Sequence, residues 1–245
     1  MNSYKTLGIV LKGTNFSEAD KILTIFTERF GKIKVIAKGI RKIKSHMAGA
    51  LEPFQLVQMQ LHEGKTFFIV TGAVIEQEFA DLHNDLAKIA KAFFLGEVTD
   101  RFIEENHKNG EIFSLLLSAL NEIDKNLPGP LIQAFQLKIV EAAGFKPELS
   151  EGIRCKTKLP LGNNFWEIAE GGVLCAECNQ KTGRGRAILD EMIKLFRFIT
   201  ENNFATISKL KLSTSLELEA GDILSSYIES ILERELKSQK FMKML

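Results

Sequence analysis

The chain has 245 residues, 45% of them apolar, with 32 Lys+Arg against 31 Asp+Glu for a formal charge of +1. This is enough apolar material for a real core in one large domain or two to three small ones, which excludes a disordered chain. The near-cancelling charge excludes a partner held by total charge and leaves the distribution of charge as the only electrostatic handle. That distribution is uneven, because residues 1–80 carry +4 and the remainder −3.

The N-terminus has no charged segment followed by an apolar run, and no stretch approaches the roughly 18 apolar residues that span a bilayer. The three cysteines, Cys155, Cys175 and Cys178, are odd in number and confined to the second half. Such a set suits a reducing compartment rather than a secreted disulfide framework. A cytoplasmic protein with no membrane partner is expected.

In chain order, TLGIVLKGT, KILTIFTER, KIKVIAKGI, LVQMQLHEG and FFIVTGAVIEQ, between residues 6 and 77, are apolar segments rich in β-branched residues. Phe30-Gly31 and Glu63-Gly64-Lys65 read as tight connections between neighbours. Five short strands in so few residues predict a small barrel. Side chains alternate along a strand, so Ile33, Val35 and Ala37 of the third segment face a core while Lys32, Lys34 and Lys38 make the other face cationic.

Between Arg29 and Leu51 stand Arg29, Lys32, Lys34, Lys38, Arg41, Lys42 and Lys44, with His46 and no acid. A solvated face mixes signs, because crowded like charges repel, so an unmixed run points to a polyanion. Cations tracking a phosphate chain release condensed counterions and give affinity that ignores sequence and falls with salt. Gly39 lets the backbone turn and splay the later cations into solvent. The plain alternative is a highly soluble loop. A barrel that carries the run favours nucleic acid, since OB-folds bind single strands through cations and stacked aromatics.

After Asn84 the period changes from two to about 3.6. Leu86, Ile89, Ala90, Phe93, Phe94, Val98 and Phe102 form one helical stripe, and Ile112, Leu115, Leu116, Ala119, Leu120 and Ile123 a second. Leu131, Phe135, Ile139 and Ala142 form a third, starting just after Pro128-Gly129-Pro130 and ending near Gly144. Ile188, Met192, Leu195, Phe196 and Ile199, and then Ile223, Leu224, Tyr227, Ile228, Ile231 and Leu232, mark two more.

Residues 145–183 carry no helical stripe. Phe165, Trp166, Ile168, Val173 and Leu174 are expected to form a hairpin around Glu170-Gly171-Gly172. Cys175-Ala176-Glu177-Cys178 is a C-x-x-C knuckle, with Cys155 twenty positions before it. A structural zinc site takes four ligands, commonly two knuckles, but the partner position here is Lys158. Glu151, Glu177 or a water would complete a metal shell, and three free thiols packed beside Trp166 is the competing reading. The expected organisation is α+β and multidomain: a barrel over 1–80, a helical domain over 81–245, and a cysteine-bearing, zinc-finger-like insert over 145–183.

No phosphate loop, H-E-x-x-H, G-x-S-x-G or paired-carboxylate motif occurs, which argues against an enzyme. The chain resembles the RecO family of bacterial DNA repair and recombination mediators. The likeness lies in the stretch from Glu18 to Glu28, in Gly31-Lys32-Ile33 leading to residues 37–46 (AKGIRKIKSH) and Leu51-Glu52-Pro53-Phe54, in Ala143 to Leu149, and in Gly171 to Cys178. It implies an N-terminal OB-fold that binds single- and double-stranded DNA through Arg29, Lys32, Lys34, Lys38, Arg41, Lys42 and Lys44, and a helical C-terminal domain. In many members it also implies a four-cysteine zinc module, from which Lys158 departs. Proteins of this kind anneal complementary strands and act with RecR to load RecA onto strands coated by single-strand binding protein, at the nucleoid and without hydrolysis. A general RNA- or single-strand-binding OB protein, a non-catalytic adaptor and a metal-dependent hydrolase are the rival classes.

Overall fold

The computed structural model describes residues 2–125 and 129–242. The chain forms two compact units, one made of residues 1–126 with 237–245 and the other of residues 127–236.

In the first unit, β1 (Ser3–Asn15), β2 (Lys21–Thr27), β3 (Gly31–Ala37), β4 (Leu56–His62) and β5 (Phe68–Gln77) close a barrel in the order β1-β2-β3-β5-β4. Closure depends on β1 being long enough to serve two neighbours. Its first half pairs with β4 (Ser3 with His62 to Ile9 with Leu56) and its second half with β2 (Gly8 with Thr27 to Asn15 with Lys21), with a bulge between Val10 and Lys12. The last seam is the short parallel pairing of Val35 and Ile36 with Phe68 and Ile69. Val10, Leu23, Ile25, Ile33, Val35, Ala37, Val57, Met59, Leu61 and Val70 fill the interior, as the two-residue period dictates.

The outer face of β2 and β3 is also covered. Helices α1 (Ala80–Asn84), α2 (Leu86–Phe102) and α3 (Gly110–Asp124) follow the barrel and belong to the same unit. Phe26, on the outside of β2, packs edge-on against Phe113 of α3 at 5.4 Å. Asp85 caps α2 by accepting from the backbone N–H groups of Ala87 and Lys88, and Asn109 caps α3 by accepting from Ile112. The second stripe is buried as expected, apart from half-buried Leu115. The first is rotated from its expected face: Leu86 and Phe93 are exposed while Lys88 is buried, its ammonium donating to the Asp124 carbonyl that ends α3. A lysine that satisfies a helix C-terminus can thus stand on the buried face of α2.

The second unit contains α4 (Leu131–Ala142), the hairpin β6 (Asn164–Glu167) and β7 (Gly172–Leu174), α5 (Ala176–Thr182), β8 (Arg186–Ile188), α6 (Asp190–Glu201), α7 (Phe204–Ile207) and α8 (Thr214–Leu232). The hairpin stands where the sequence places it, pairing Phe165 with Leu174 and Trp166 with Val173. Ile188, expected in a helix, lies instead in β8, which pairs with β6 on its other edge. Trp166 is buried edge-on between Phe196 of α6 and Tyr227 of α8. Gln136 of α4 donates to Ser225 of α8 at 2.8 Å, so that part of the polar material inside the bundle is paired. Pro128, ahead of α4, lies outside the described residues. Among the described residues no helix is long and apolar enough to cross a membrane.

The chain then re-enters the first unit as α9 (Lys237–Met242), which packs on α2. Its first turn is held by one side chain, Glu97. That carboxylate accepts from the backbone N–H of Ser238 at 2.7 Å, from its hydroxyl at 2.5 Å, from the Lys237 N–H at 3.3 Å and from Arg101 at 2.9 Å. Burial pushes the Glu97 carboxyl up, but these donated hydrogen bonds together outweigh it and hold it below its ordinary value. A depressed carboxyl stabilises the fold above its unfolded pKa, and the contribution fades as pH falls through the folded value. Glu97→Ala is therefore expected to speed amide hydrogen exchange in residues 237–242 by about tenfold or more. The barrel should exchange as before, and in the unaltered chain the protection factors of residues 237–242, which allow for slower intrinsic exchange in acid, should fall as pH drops below the ordinary carboxylate range.

Candidate nucleic-acid interface and cysteine cluster

The seven cations between Arg29 and Leu51 do not share one face. Lys32 and Lys34 point outward from β3, but the segment after α2 lies over them, where the Asn106 N–H donates to the Lys32 carbonyl at 2.8 Å. Lys32 is buried, with its ammonium 3.2 Å from the Asp100 carboxylate and also donating to the Asp100 carbonyl. Lys12 of β1 reaches the same carboxylate at 2.5 Å. Burial pushes the Asp100 carboxyl up, and the hydrogen bond from Lys12 with the charges of both lysines brings it below its ordinary value. Lys34 is paired with Glu105. The continuous cationic strand face expected from the sequence is thus corrected: its first two cations are neutralised by acids about 70 positions further on.

Arg29 lies before β3 and Lys38 after it, so the two stand about 20 Å apart at opposite ends of the strand. The Arg29 guanidinium sits 5.2 Å from the ring centres of both Tyr4 and Phe30, and Phe30 in turn meets Phe68 at 5.4 Å. It caps a half-buried aromatic group that packs against the barrel core.

The remaining four, Lys38, Arg41, Lys42 and Lys44, are all exposed in the loop that leaves β3, as is His46. Gly39 has φ +65°, a left-handed conformation that an L side chain resists, and it turns the chain there. Ile40 is buried in the barrel core and anchors the loop. Arg41 ties it to the β1–β2 turn, with its N–H donating to Ala19 O at 3.0 Å and its Nη1 to Ser17 O at 2.9 Å. That turn contributes two acids, Glu18 and Asp20. The Asp20 carboxylate accepts from the Gly39 N–H at 2.7 Å. Among the described residues none of the four cations has a carboxylate within ion-pair distance. The rim of the barrel therefore offers four cations to water, fixed by a buried side chain and backbone bonds. Phe16, 57% exposed in the same turn, is a large aromatic side chain beside this rim.

In the second unit the three cysteines converge. Their Sγ atoms all lie within 4.8 Å of one another, and Cys155 and Cys175 are 3.9 Å apart. A tetrahedral zinc with bonds of about 2.3 Å has sulfur–sulfur edges of about 3.8 Å, so this edge fits. The knuckle is the start of α5, a helix without an apolar stripe, with Cys175 as its N-cap and Cys178 in its first turn. Cys155 comes from a turn in which Gly152 accepts from Lys156 at 2.8 Å and donates to Thr157 O at 2.9 Å. Any side chain at 152 would collide with the sulfur, because a Cβ there would stand 2.5 Å from Cys155 Sγ.

Thr157, whose hydroxyl is 3.1 Å from that sulfur, lowers the Cys155 thiol to about 7 through its hydroxyl and backbone N–H. Its neighbour Cys175, with burial, raises Cys178 to about 11. Lys158 is exposed and adds no sulfur, and among the described residues no carboxylate or imidazole joins the group. The donor set fits three corners of a thiolate metal site.

A cationic barrel rim on one unit and a cysteine knuckle in a helical unit define a class with known members. Family models described as "Recombination protein O N terminal" and "Recombination protein O C terminal" match residues 1–79 and 83–240. The chain belongs to the RecO family. Relatives named "DNA repair protein RecO" include one from Dehalococcoides mccartyi, 34% identical over 97% of this chain and 94% of its own length. Another, from Desulforamulus reducens, is 31% identical over 100% and 96%.

Lys32 is expected to act in folding rather than in binding. Replacing it with Ala strands part of the Asp100 charge in a place water reaches poorly, which costs about 1–3 kcal/mol with Lys12 still present. Urea denaturation should show this loss, and Lys34→Ala, at an exposed pair, should cost less than about 1 kcal/mol.

Proposed function

We propose that this chain is a DNA repair and homologous recombination mediator whose barrel, read as an OB-fold, holds the phosphates of single- and double-stranded DNA on the rim made by Lys38, Arg41, Lys42 and Lys44. The observation that carries the reading is the anchored loop of four exposed cations without acidic partners, beside the β1–β2 turn. OB-folds bind oligonucleotides with the face of strands 2 and 3 and with the loop between strands 1 and 2; here that strand face is covered, and the rim, in the loop that leaves β3, stands beside the β1–β2 loop. Membership of the RecO family and relatives named as DNA repair proteins support the same role.

Phosphate contacts ignore sequence and leave base edges free, which is what annealing of complementary strands needs. One cationic surface also screens the repulsion between two strands and raises their effective concentration. In this reading the protein is not an enzyme. It works in the cytoplasm with RecR to help load RecA onto strands coated by single-strand binding protein.

The cysteine cluster is read as a zinc site of three thiolates, supported by the 3.9 Å edge and the convergence of the sulfurs. Bound zinc would supply cross-linking between the Cys155 turn and α5, a folding role.

Two measurements test this function. Replacing Lys38, Arg41, Lys42 and Lys44 with Ala should weaken binding to a single-stranded oligonucleotide at low salt. It should also make the slope of log K against log salt shallower by about 3, the number expected for four lost phosphate contacts. An unchanged slope would count decisively against the rim. For the cluster, Lys158→Cys completes a second knuckle and should tighten zinc binding by about tenfold or more in competition with a chromophoric chelator. Equal affinity in the two proteins would remove the reading of a three-corner site.

A further inference from the structure

The four rim cations leave one residue of their loop unexplained. Ile43 stands between Lys42 and Lys44 and is 105% exposed, meaning that the fold shields none of its side chain. Isolated exposed apolar residues are ordinary on a protein surface, and Leu161, at 84%, is one of them. Ile43 differs in where it is held.

Two hydrogen-bonded turns follow one another in this loop. The Lys42 N–H donates to Gly39 O at 3.1 Å, and the Ser45 N–H donates to Lys42 O at 2.9 Å. Ile43 and Lys44 are the central residues of the second turn, its outermost point. The base of the loop is fixed by buried Ile40 and by the two bonds from Arg41 to the β1–β2 turn. The tip is therefore a built projection, and a β-branched side chain at its end has few rotamers to lose on contact. The turn that Arg41 grips carries Phe16, a second large apolar group turned to water.

An apolar point ringed by cations matches one kind of surface closely: a chain whose outside is anionic and whose inside is a stack of flat apolar faces. Proteins that deform nucleic acids insert Ile, Leu, Met or Phe between adjacent bases while basic residues hold the flanking phosphates. We propose that Ile43 is such a wedge, its side chain entering between neighbouring bases of a DNA strand that Lys38, Arg41, Lys42 and Lys44 hold by its phosphates, and parting their stack. This rests on the reading of the rim as a DNA-binding surface and adds to it a contact with the bases. The wedge reads no base edge, so it leaves the hydrogen-bonding groups of the bases available to a complementary strand.

The test uses the full-length protein and a short oligonucleotide containing 2-aminopurine between adenines, whose fluorescence rises when the base is unstacked. Binding of the unaltered protein should raise the emission. Ile43→Ala should lose at least about half of that rise while its dissociation constant at low salt changes by less than about threefold, since the phosphate contacts remain. Ile43→Leu should retain the rise. Since the side chain contacts nothing in the fold, circular dichroism and the melting temperature should be the same in all three proteins.

An undiminished rise with Ile43→Ala, at equal saturation, overturns the wedge and leaves the cationic rim standing. Failure of the unaltered protein to bind the oligonucleotide overturns both. Ile43-dependent binding to vesicles of phosphatidylglycerol, without any change in 2-aminopurine emission, would assign the tip to an anionic lipid surface and also overturn the wedge.

Discussion

The carboxylate of Asp100 is the point on which the first unit is organised. It accepts two ammonium groups, from Lys12 on β1 and Lys32 on β3, so that one turn of α2 is fixed to two strands of the barrel at once. A single exposed ion pair would contribute little. Here Lys32 is buried, two cations share one anion, and the Lys32 ammonium also reaches the backbone carbonyl of Asp100, so the groups removed from water are compensated by each other. The consequence reaches well beyond α2. With the outer face of β2 and β3 covered, the unneutralised cations lie where the strand ends and the loop begins.

This explains which parts of the site could be read from the sequence. The excess of cations between Arg29 and Leu51 is a local property, and so is the freedom that Gly39 gives the loop; both survive in the structure. Strand alternation correctly set Ile33, Val35 and Ala37 inside the barrel. What alternation does not contain is the identity of the layer on the other side. Asp100 and Glu105 are about 70 positions from the lysines they meet, and Phe113 is still further from Phe26, so the fate of the outward face depended on tertiary pairing. The exposure of Ile43 was hidden for the related reason that an apolar residue next to a strand reads as core until the turn around it is known.

The second unit shows the same division. The hairpin through Trp166 announced itself by its aromatic and β-branched residues on either side of Glu170-Gly171-Gly172. Helix α5 did not, since none of its residues is buried and no apolar stripe marks it. Its existence follows from the knuckle, which turns the chain and leaves Cys175 at the N-cap. The convergence of Cys155 on that helix needed one more condition that composition alone does not express: the absence of a side chain at Gly152, in the space that the sulfur occupies.

The path of the chain has a consequence for the order of events in the cell. The first unit is completed only by its last described residues, 237–242, which close onto Glu97 after the whole of the second unit has been made. Until residues 237–242 have been made, the growing chain carries a barrel with α2 still bare along one side. The second unit is an insertion between two parts of the first, so a cut in either connection leaves it joined through the other, on one side by the chain itself and on the other by α9 docked on α2.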